Sequence, residues 1–176
     1  MESSQVHKNG CRALSFKDDL TVAQNRRCLE AELPQAVRSA AAKAESLALL
    51  FLDVDDLKRV NTSHGHPVGS FLLESVAITA QRLCRAHDRL YRYGGDEFCL
   101  VIPGGNNFGA AKLGERLIQA LNSSGLMVGD VRVPISISVG IASFPKDADG
   151  AEHLLEKADR ALFKAKAGGK GRVVVA

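Results

Sequence analysis

Two groups of carboxylates carry the strongest chemical suggestion in this sequence. Asp53-Val54-Asp55-Asp56 closes an apolar run, and Asp96-Glu97 follows the glycine pair Gly94-Gly95. Neighbouring carboxylates repel, and at the end of a buried strand they are poor core residues. A divalent cation resolves both problems, because Mg²⁺ takes a few carboxylate oxygens and completes its octahedron with phosphate oxygens and water. Two such clusters facing each other suit two-metal nucleotidyl transfer, in which one ion activates a hydroxyl and the other holds a triphosphate. Gly94 and Gly95 lack Cβ atoms, so they allow a sharp turn and let a nucleotide lie close to the backbone. The plainer reading of the same residues is a surface hairpin with solvated acids. Residue types alone leave both open.

These carboxylates need elements to hold them. Ser46–Val54 is a continuous apolar run and reads as a buried central strand. Asp88–Tyr93 and Glu97–Ile102 are strand-like, and Gly94-Gly95 between them is a hairpin signal. Asp55–His64 reads as a short helix stopped by Gly65 and Pro67, and Val68–Ala86 as a longer amphipathic one. Upstream, Ala23–Glu45 shows helical spacing, with Pro34 expected to kink or reset it. Downstream, Phe108–Ser123 reads as a helix and Val131–Ser143 as one long strand. Glu152–Ala167 is a helix ended by Gly168-Gly169, and Val173–Val175 is a short last strand. The order βααββαβαβ predicts an α/β fold, a mixed central sheet flanked by helices and related to the ferredoxin-like pattern. Residues 1–17 are polar and aperiodic and read as a linker or chain edge, leaving 18–176 as one domain.

Composition narrows the function. With 176 residues, 45% of them hydrophobic and 24% charged, the chain suits one soluble domain with a core that needs no disulfides. A net charge of +3 and the lack of a Lys/Arg run argue against nucleic-acid binding. No apolar stretch is long enough to span a membrane, and the polar N-terminus has no signal-peptide core. The four cysteines, Cys11, Cys28, Cys84 and Cys99, form no CxxC pair and read as reduced thiols, with Cys99 a small core residue. Location in the cytoplasm follows as the expectation. The five histidines show no metal-ligand spacing, and His66 is expected to cap or pack locally.

Several segments in order resemble one family. Arg92-Tyr-Gly-Gly-Asp-Glu-Phe98 resembles the signature that names the GGDEF domains of cyclic-dinucleotide synthases. Leu20-Thr21 with Asn25-Arg26-Arg27 is similar to the family's opening segment, from which Val22-Ala23-Gln24 departs. Leu52–Asn61 resembles the strand–helix segment that bears the first metal ligand, and His64-Gly-His66 resembles the Tyr-Gly-His after it. Ser138–Ala142 and Ala158–Lys166 are similar to the family's closing strand and helix. The resemblance covers roughly 19–174 and makes 18–176 a GGDEF catalytic domain.

The resemblance implies roles, residue by residue. Asp53, the Val54 carbonyl and Asp96 would ligate two Mg²⁺ ions per site, with Mn²⁺ as a substitute, and Glu97 would assist at the second metal or at the attacking 3′-hydroxyl. Backbone N–H groups of Asp55, Asp56 and Leu57 would hold the β- and γ-phosphates, beside Gly94 and Gly95. Lys166 would pair with the triphosphate. The family's usual Arg four residues later is Lys170 here, which keeps the charge and loses the bidentate fork. Asn61 would read the base, and Leu20 and Leu73 would pack against it. Each domain would hold one nucleotide, so a homodimer is implied for catalysis, as is an upstream sensor or receiver domain. Arg85-Ala-His-Asp88 resembles the family's inhibitory RxxD site for cyclic di-GMP. A surface salt bridge is the plain alternative.

One departure bears on specificity. Guanine-selective members carry an Asp after the glycine of the following helix, where this chain has Gly69-Ser70. A carboxylate accepts from guanine N1–H and N2, whereas a hydroxyl accepts from guanine N1–H or donates to adenine N1. The exchange loses roughly 1–3 kcal/mol of discrimination. Ser70 therefore resembles the hybrid, promiscuous subgroup, which uses GTP and ATP to make 3′,3′-cyclic GMP-AMP beside cyclic di-GMP. The alternative is a strict diguanylate cyclase with a weakened guanine contact. Two other classes, a non-catalytic cyclic-dinucleotide-binding module and a structural dimerisation domain, sit less well with intact Asp53, Asp96 and Glu97.

Overall fold

A computed structural model describes residues 16–176. Cys11 and most of the 1–17 segment lie outside the described residues. Phe16 and Lys17 are tied to the domain: the Asn25 N–H donates to the Phe16 carbonyl at 2.9 Å, and Lys17 bridges Gln24.

The chain runs β1 (Gln24–Asn25), α1 (Arg26–Ala42), β2 (Leu47–Val54), α2 (Leu57–His64), α3 (His66–Leu83), β3 (Arg89–Arg92), β4 (Glu97–Pro103), α4 (Asn107–Ser124), β5 (Leu126–Val128), β6 (Val131–Val133), β7 (Ile137–Phe144), α5 (Ala151–Ala167) and β8 (Val173–Val175). Six strands form a mixed sheet in the order β1-β3-β4-β2-β7-β8. β2 lies in the interior, antiparallel to β4 on one side and β7 on the other, and every one of its residues is buried. This is the expected α/β architecture, with the uninterrupted apolar run at its centre.

Alternation along β2 builds two cores. Ala48, Leu50, Leu52 and Val54 face α3 and α4, where they meet Leu72, Val76, Leu113 and Leu117. Leu47, Leu49 and Phe51 face α1 and α5, where they meet Leu29, Leu33, Leu154 and Leu162. The side-chain period of two that sends Phe51 to the α1/α5 face sends Asp53 there too.

Three expectations change. Pro34 does not reset the first helix, which continues through it as one element of 17 residues. The Asn25 side chain caps its start by accepting from the Cys28 N–H, and buried Leu29, Leu33, Val37 and Ala40 anchor it on the sheet, outweighing the single backbone bond that Pro34 cannot donate. The long strand over Val131–Ser143 is two strands. β6 pairs with β5 in a separate hairpin around Gly129 (φ +60°), and β7 begins only at Ile137. Pro134, with no N–H to give a ladder, lies in the break. Pro67 opens α3 near its N-terminus instead of closing α2, a position where its missing N–H costs nothing. The two-residue β1 and three-residue β5 carried no signal of their own.

Candidate active site

The carboxylates meet where strands end. Asp53, one residue from the end of β2, stands in register with Glu97 on β4 and Ser138 on β7. The hairpin tip between β3 and β4 is tied to the same strand end, because the Val54 N–H donates to the Asp96 carbonyl at 3.0 Å. The Glu97 carbonyl in turn accepts from the Tyr93 N–H at 2.8 Å and the Gly94 N–H at 3.3 Å. A Cβ on Gly94 would lie 2.8 Å from the Glu97 carboxylate, so a glycine there leaves that side chain its room.

Asp53 is 5% exposed, and Lys166 from the last turn of α5 reaches it, Nζ to Oδ2 at 2.6 Å. Burial pushes the Asp53 carboxyl up to about 6, and Asp96 and Glu97 push the same way against the pull of Lys166. Burial, then Asp96, also raises Glu97. Asp53 and Glu97 thus share one ammonium, and Asp96 acts on both acids, so negative charge is in excess. Among the described residues no three His, Cys, Asp or Glu side chains close into a metal-binding group. The donor set nevertheless fits Mg²⁺, which takes one or two carboxylates and leaves its other positions to water and substrate phosphate. The Lys166 ammonium already occupies a cation's place beside Asp53.

On the other face of the sheet lies a cleft of about 600 Å³ whose lining includes Leu20, Leu57, Asn61, Ser70, Leu73 and Asp96. It brings together the expected base contacts Asn61, Ser70, Leu20 and Leu73, with Gly95 and Asp96 at its border to the carboxylates. Asn61 Oδ1 is buried without a hydrogen-bond partner, which suits a side chain awaiting a ligand donor. A Cβ on Gly69 would fall 1.9 Å from that oxygen, so a glycine in α3 is what admits the Asn61 amide.

The phosphate-side residues differ in part from expectation. The Asp55 amide does not face an open site. It donates to the Ser136 carbonyl at 2.9 Å, because β7 begins directly alongside. The Asp55 carboxylate is turned inward onto Ser136, Ser138 and the Gly171 N–H. Asp56 takes a left-handed conformation, φ +58°, at the start of α2, and its carboxylate pairs with Lys170 Nζ at 2.7 Å. Lys166 and Lys170 therefore hold Asp53 and Asp56 respectively.

Two residues without an assigned role in the sequence prove central. Arg92 donates from one terminal nitrogen to Asp18 Oδ1 at 3.2 Å and from the other to the Gly95 carbonyl at 2.8 Å. Asp18 also accepts from the Thr21 N–H at 2.8 Å and the Leu20 N–H at 3.3 Å. One guanidinium thus joins the turn bearing Leu20 to the glycine tip. Arg92 lay inside the signature, and Asp18 just ahead of Leu20-Thr21. The link between them spans 74 positions and left no local trace.

Arg85 and Asp88 line a separate cavity of about 470 Å³ that shares no residue with the first. Their contact is a turn: the Arg85 backbone N–H donates to Asp88 Oδ2 at 2.7 Å. Asp88 Oδ1 is buried without a partner.

The chain matches the family described as diguanylate cyclase, GGDEF domain, over residues 15–172. It belongs to the GGDEF family. The GGDEF domain is 38% identical over 157 residues to the bifunctional diguanylate cyclase/cyclic di-GMP phosphodiesterase MucR of Pseudomonas aeruginosa, covering 89% of this chain and 23% of MucR. It is 31% identical to the response regulator PleD of Caulobacter vibrioides, covering 92% of this chain and 36% of PleD. It therefore spans well under half of these relatives' length. Among solved structures, the coiled coil and GGDEF domain of DgcB from Caulobacter crescentus, in complex with c-di-GMP, superposes with a TM-score of 0.91 at 28% identity, covering 98% of this chain and 91% of that one. No helix among the described residues is long and apolar enough to cross a membrane.

Proposed function

We propose that this GGDEF domain is a diguanylate cyclase, joining two GTP molecules into cyclic di-GMP and releasing pyrophosphate, in the cytoplasm and under the control of an upstream domain. The observation that carries the reading is the convergence of Asp53, Asp96 and Glu97, with Lys166 paired to Asp53, beside a cleft with an unpartnered Asn61. Relatives named as diguanylate cyclases support GTP as substrate.

Asp53, the Val54 carbonyl and Asp96 would hold Mg²⁺, or Mn²⁺ in its place, which neutralises charge on the triphosphate when bound. Asn61 and Ser70 orient the base, with Leu20 and Leu73 against its faces. Lys166 and Lys170 add positive charge on the phosphate side, and the amides of Asp56 and Leu57 lie at the start of α2. Glu97, its carboxyl raised by burial, is the group placed to accept the proton of the attacking 3′-hydroxyl. One such cleft serves one nucleotide, so two domains meet face to face around a two-fold axis. Most of the rate then comes from positioning. The Arg85/Asp88 cavity, with its unpartnered carboxylate oxygen, would take cyclic di-GMP as an inhibitor. Incubation with GTP and Mg²⁺ should release pyrophosphate and yield cyclic di-GMP, and Asp96→Ala should abolish both. Pyrophosphate release undiminished in that variant would falsify the assignment.

Ser70 supports a second reading, the mixed product cyclic GMP-AMP. Its hydroxyl lines the base cleft and can serve either purine. Equimolar GTP and ATP should then give cyclic GMP-AMP beside cyclic di-GMP, and Ser70→Asp should shift the ratio toward cyclic di-GMP. A parent that makes cyclic di-GMP alone leaves the strict cyclase.

A further inference from the structure

Asp55 stands two residues from Asp53, yet its carboxylate is fully engaged away from the cleft. It is 8% exposed. Oδ2 accepts from Ser136 Oγ at 2.6 Å and from the Gly171 N–H at 3.1 Å, and Oδ1 accepts from Ser138 Oγ at 2.7 Å. The donors come from two segments more than 80 positions away in the chain: the start of β7 and the loop ahead of β8. Each borders the site. Ser138 is the register partner of Asp53 and is itself fully buried. Gly171, φ +57°, follows Lys170, φ +62°, in a loop folded back on the last turn of α5. In that loop the Gly169 N–H donates to the Lys166 carbonyl at 3.2 Å and the Lys170 N–H to the Ala165 carbonyl at 3.1 Å. A Cβ on Gly171 would come within 3.3 Å of Ser136 Oγ, so the loop and β7 are in close contact.

We propose that Asp55 is a positioning residue for nucleotidyl transfer, a buried clamp that fixes the lysine-bearing loop against the strand end that carries Asp53. The proposal rests on the diguanylate cyclase reading. A carboxylate with both oxygens hydrogen-bonded holds its donors more tightly than a neutral acceptor does. One of the three bonds reaches the 168–172 loop through Gly171, and two reach the start of β7 through Ser136 and Ser138. Together with the bond from the Val139 N–H to the Arg172 carbonyl, they link the end of β2 to the loop that carries Lys170 and follows Lys166 at the end of α5. Asp55 touches no substrate atom in this scheme. It acts through the two lysines, and small displacements of charged groups around a reacting phosphate carry large kinetic penalties.

The decisive variant is Asp55→Asn. It keeps the size and one acceptor oxygen, and the serine hydroxyls can reverse to accept from its amide, so the fold should survive. The clamp predicts that kcat falls by roughly 10- to 100-fold, while KM for GTP and the denaturation midpoint stay near the parent's. It also predicts that the Gly171 amide exchanges with solvent at least about tenfold faster, with the Leu50 amide in the core of β2 unchanged. A merely structural role would lower the midpoint and leave activity per folded molecule intact, and that result overturns the proposal. So does an unchanged Gly171 exchange rate. If Asp55→Asn does not fold, Ser136→Ala removes one half-exposed bond and should show the same two changes, each smaller. Neither change in that variant also overturns the clamp. A parent that releases no pyrophosphate defeats the cyclase reading instead, and the Gly171 exchange rate alone then decides whether the clamp exists.

Discussion

In the proposed reaction Asp53 would sit where stability and catalysis conflict. Its carboxyl is pushed up to about 6 by burial and by Asp96 and Glu97, above its ordinary 3.8. The folded chain therefore binds this proton more tightly than the unfolded chain, so Asp53 contributes stability below about pH 4 that is lost as pH rises through 6. Asp53→Asn carries no such charge. Its stability relative to the parent should improve between pH 4.5 and pH 7 by on the order of 1–3 kcal/mol, read from denaturant midpoints without divalent cation, while pyrophosphate release disappears. A parent that gains on the Asn variant over that range would show that Lys166 outweighs burial. Asp53, Asp96 and Glu97 were legible as candidates because acids at strand ends need a reason to be there. The inward-facing Asp55 was not, since residue type does not say whether a carboxylate meets a cation, water or two serines from a strand not yet folded against it. Arg92 illustrates the same limit, because its partner Asp18 is defined only once β1 and β3 lie side by side.

At the level of elements, α5 delivers Lys166 and its placement depends on a close approach to β7. A Cβ on Gly140 would lie 2.1 Å from the Leu162 nitrogen and 2.2 Å from the Ala158 carbonyl oxygen. These are backbone atoms and cannot step aside as a side chain can. Gly140→Ala should therefore lift the helix off the sheet and cost about 1–3 kcal/mol or more. Activity per folded molecule should fall further still, because Lys166 retreats from Asp53. Denaturation midpoints and initial rates on the same samples check this, and retained rates would mean that the lysine's reach absorbs the shift. The buried run of β2 and the periodicity of α3 and α4 declare themselves in sequence, since burial on both faces or one face writes a pattern. Strand pairing does not. Val131–Ser143 carries a strand composition throughout, yet Pro134 and the Gly129 turn divide it between two sheets.

In the proposed reaction the whole molecule would supply one half. On that reading one cleft and one set of carboxylates would serve one nucleotide while the product contains two, so the productive species would be a pair of domains. Two consequences separate this from a domain that works alone. Specific activity should rise with protein concentration, because the isolated domain must first meet a second copy. A folded but inactive variant should also poison the parent. If Asp96→Ala is mixed with an equal amount of parent at fixed total concentration and the copies pair at random, about one quarter of the pairs are parent–parent. Each mixed pair lacks one competent half, and both phosphodiester bonds must form before a cyclic product leaves. Cyclic di-GMP output per total domain should then fall to about a quarter of the undiluted parent's. Simple dilution of an independent enzyme predicts about a half, provided activity does not itself depend on concentration, which the first measurement establishes. An output near one half, together with flat specific activity, would place both nucleotides on one copy and require a second binding site on this domain.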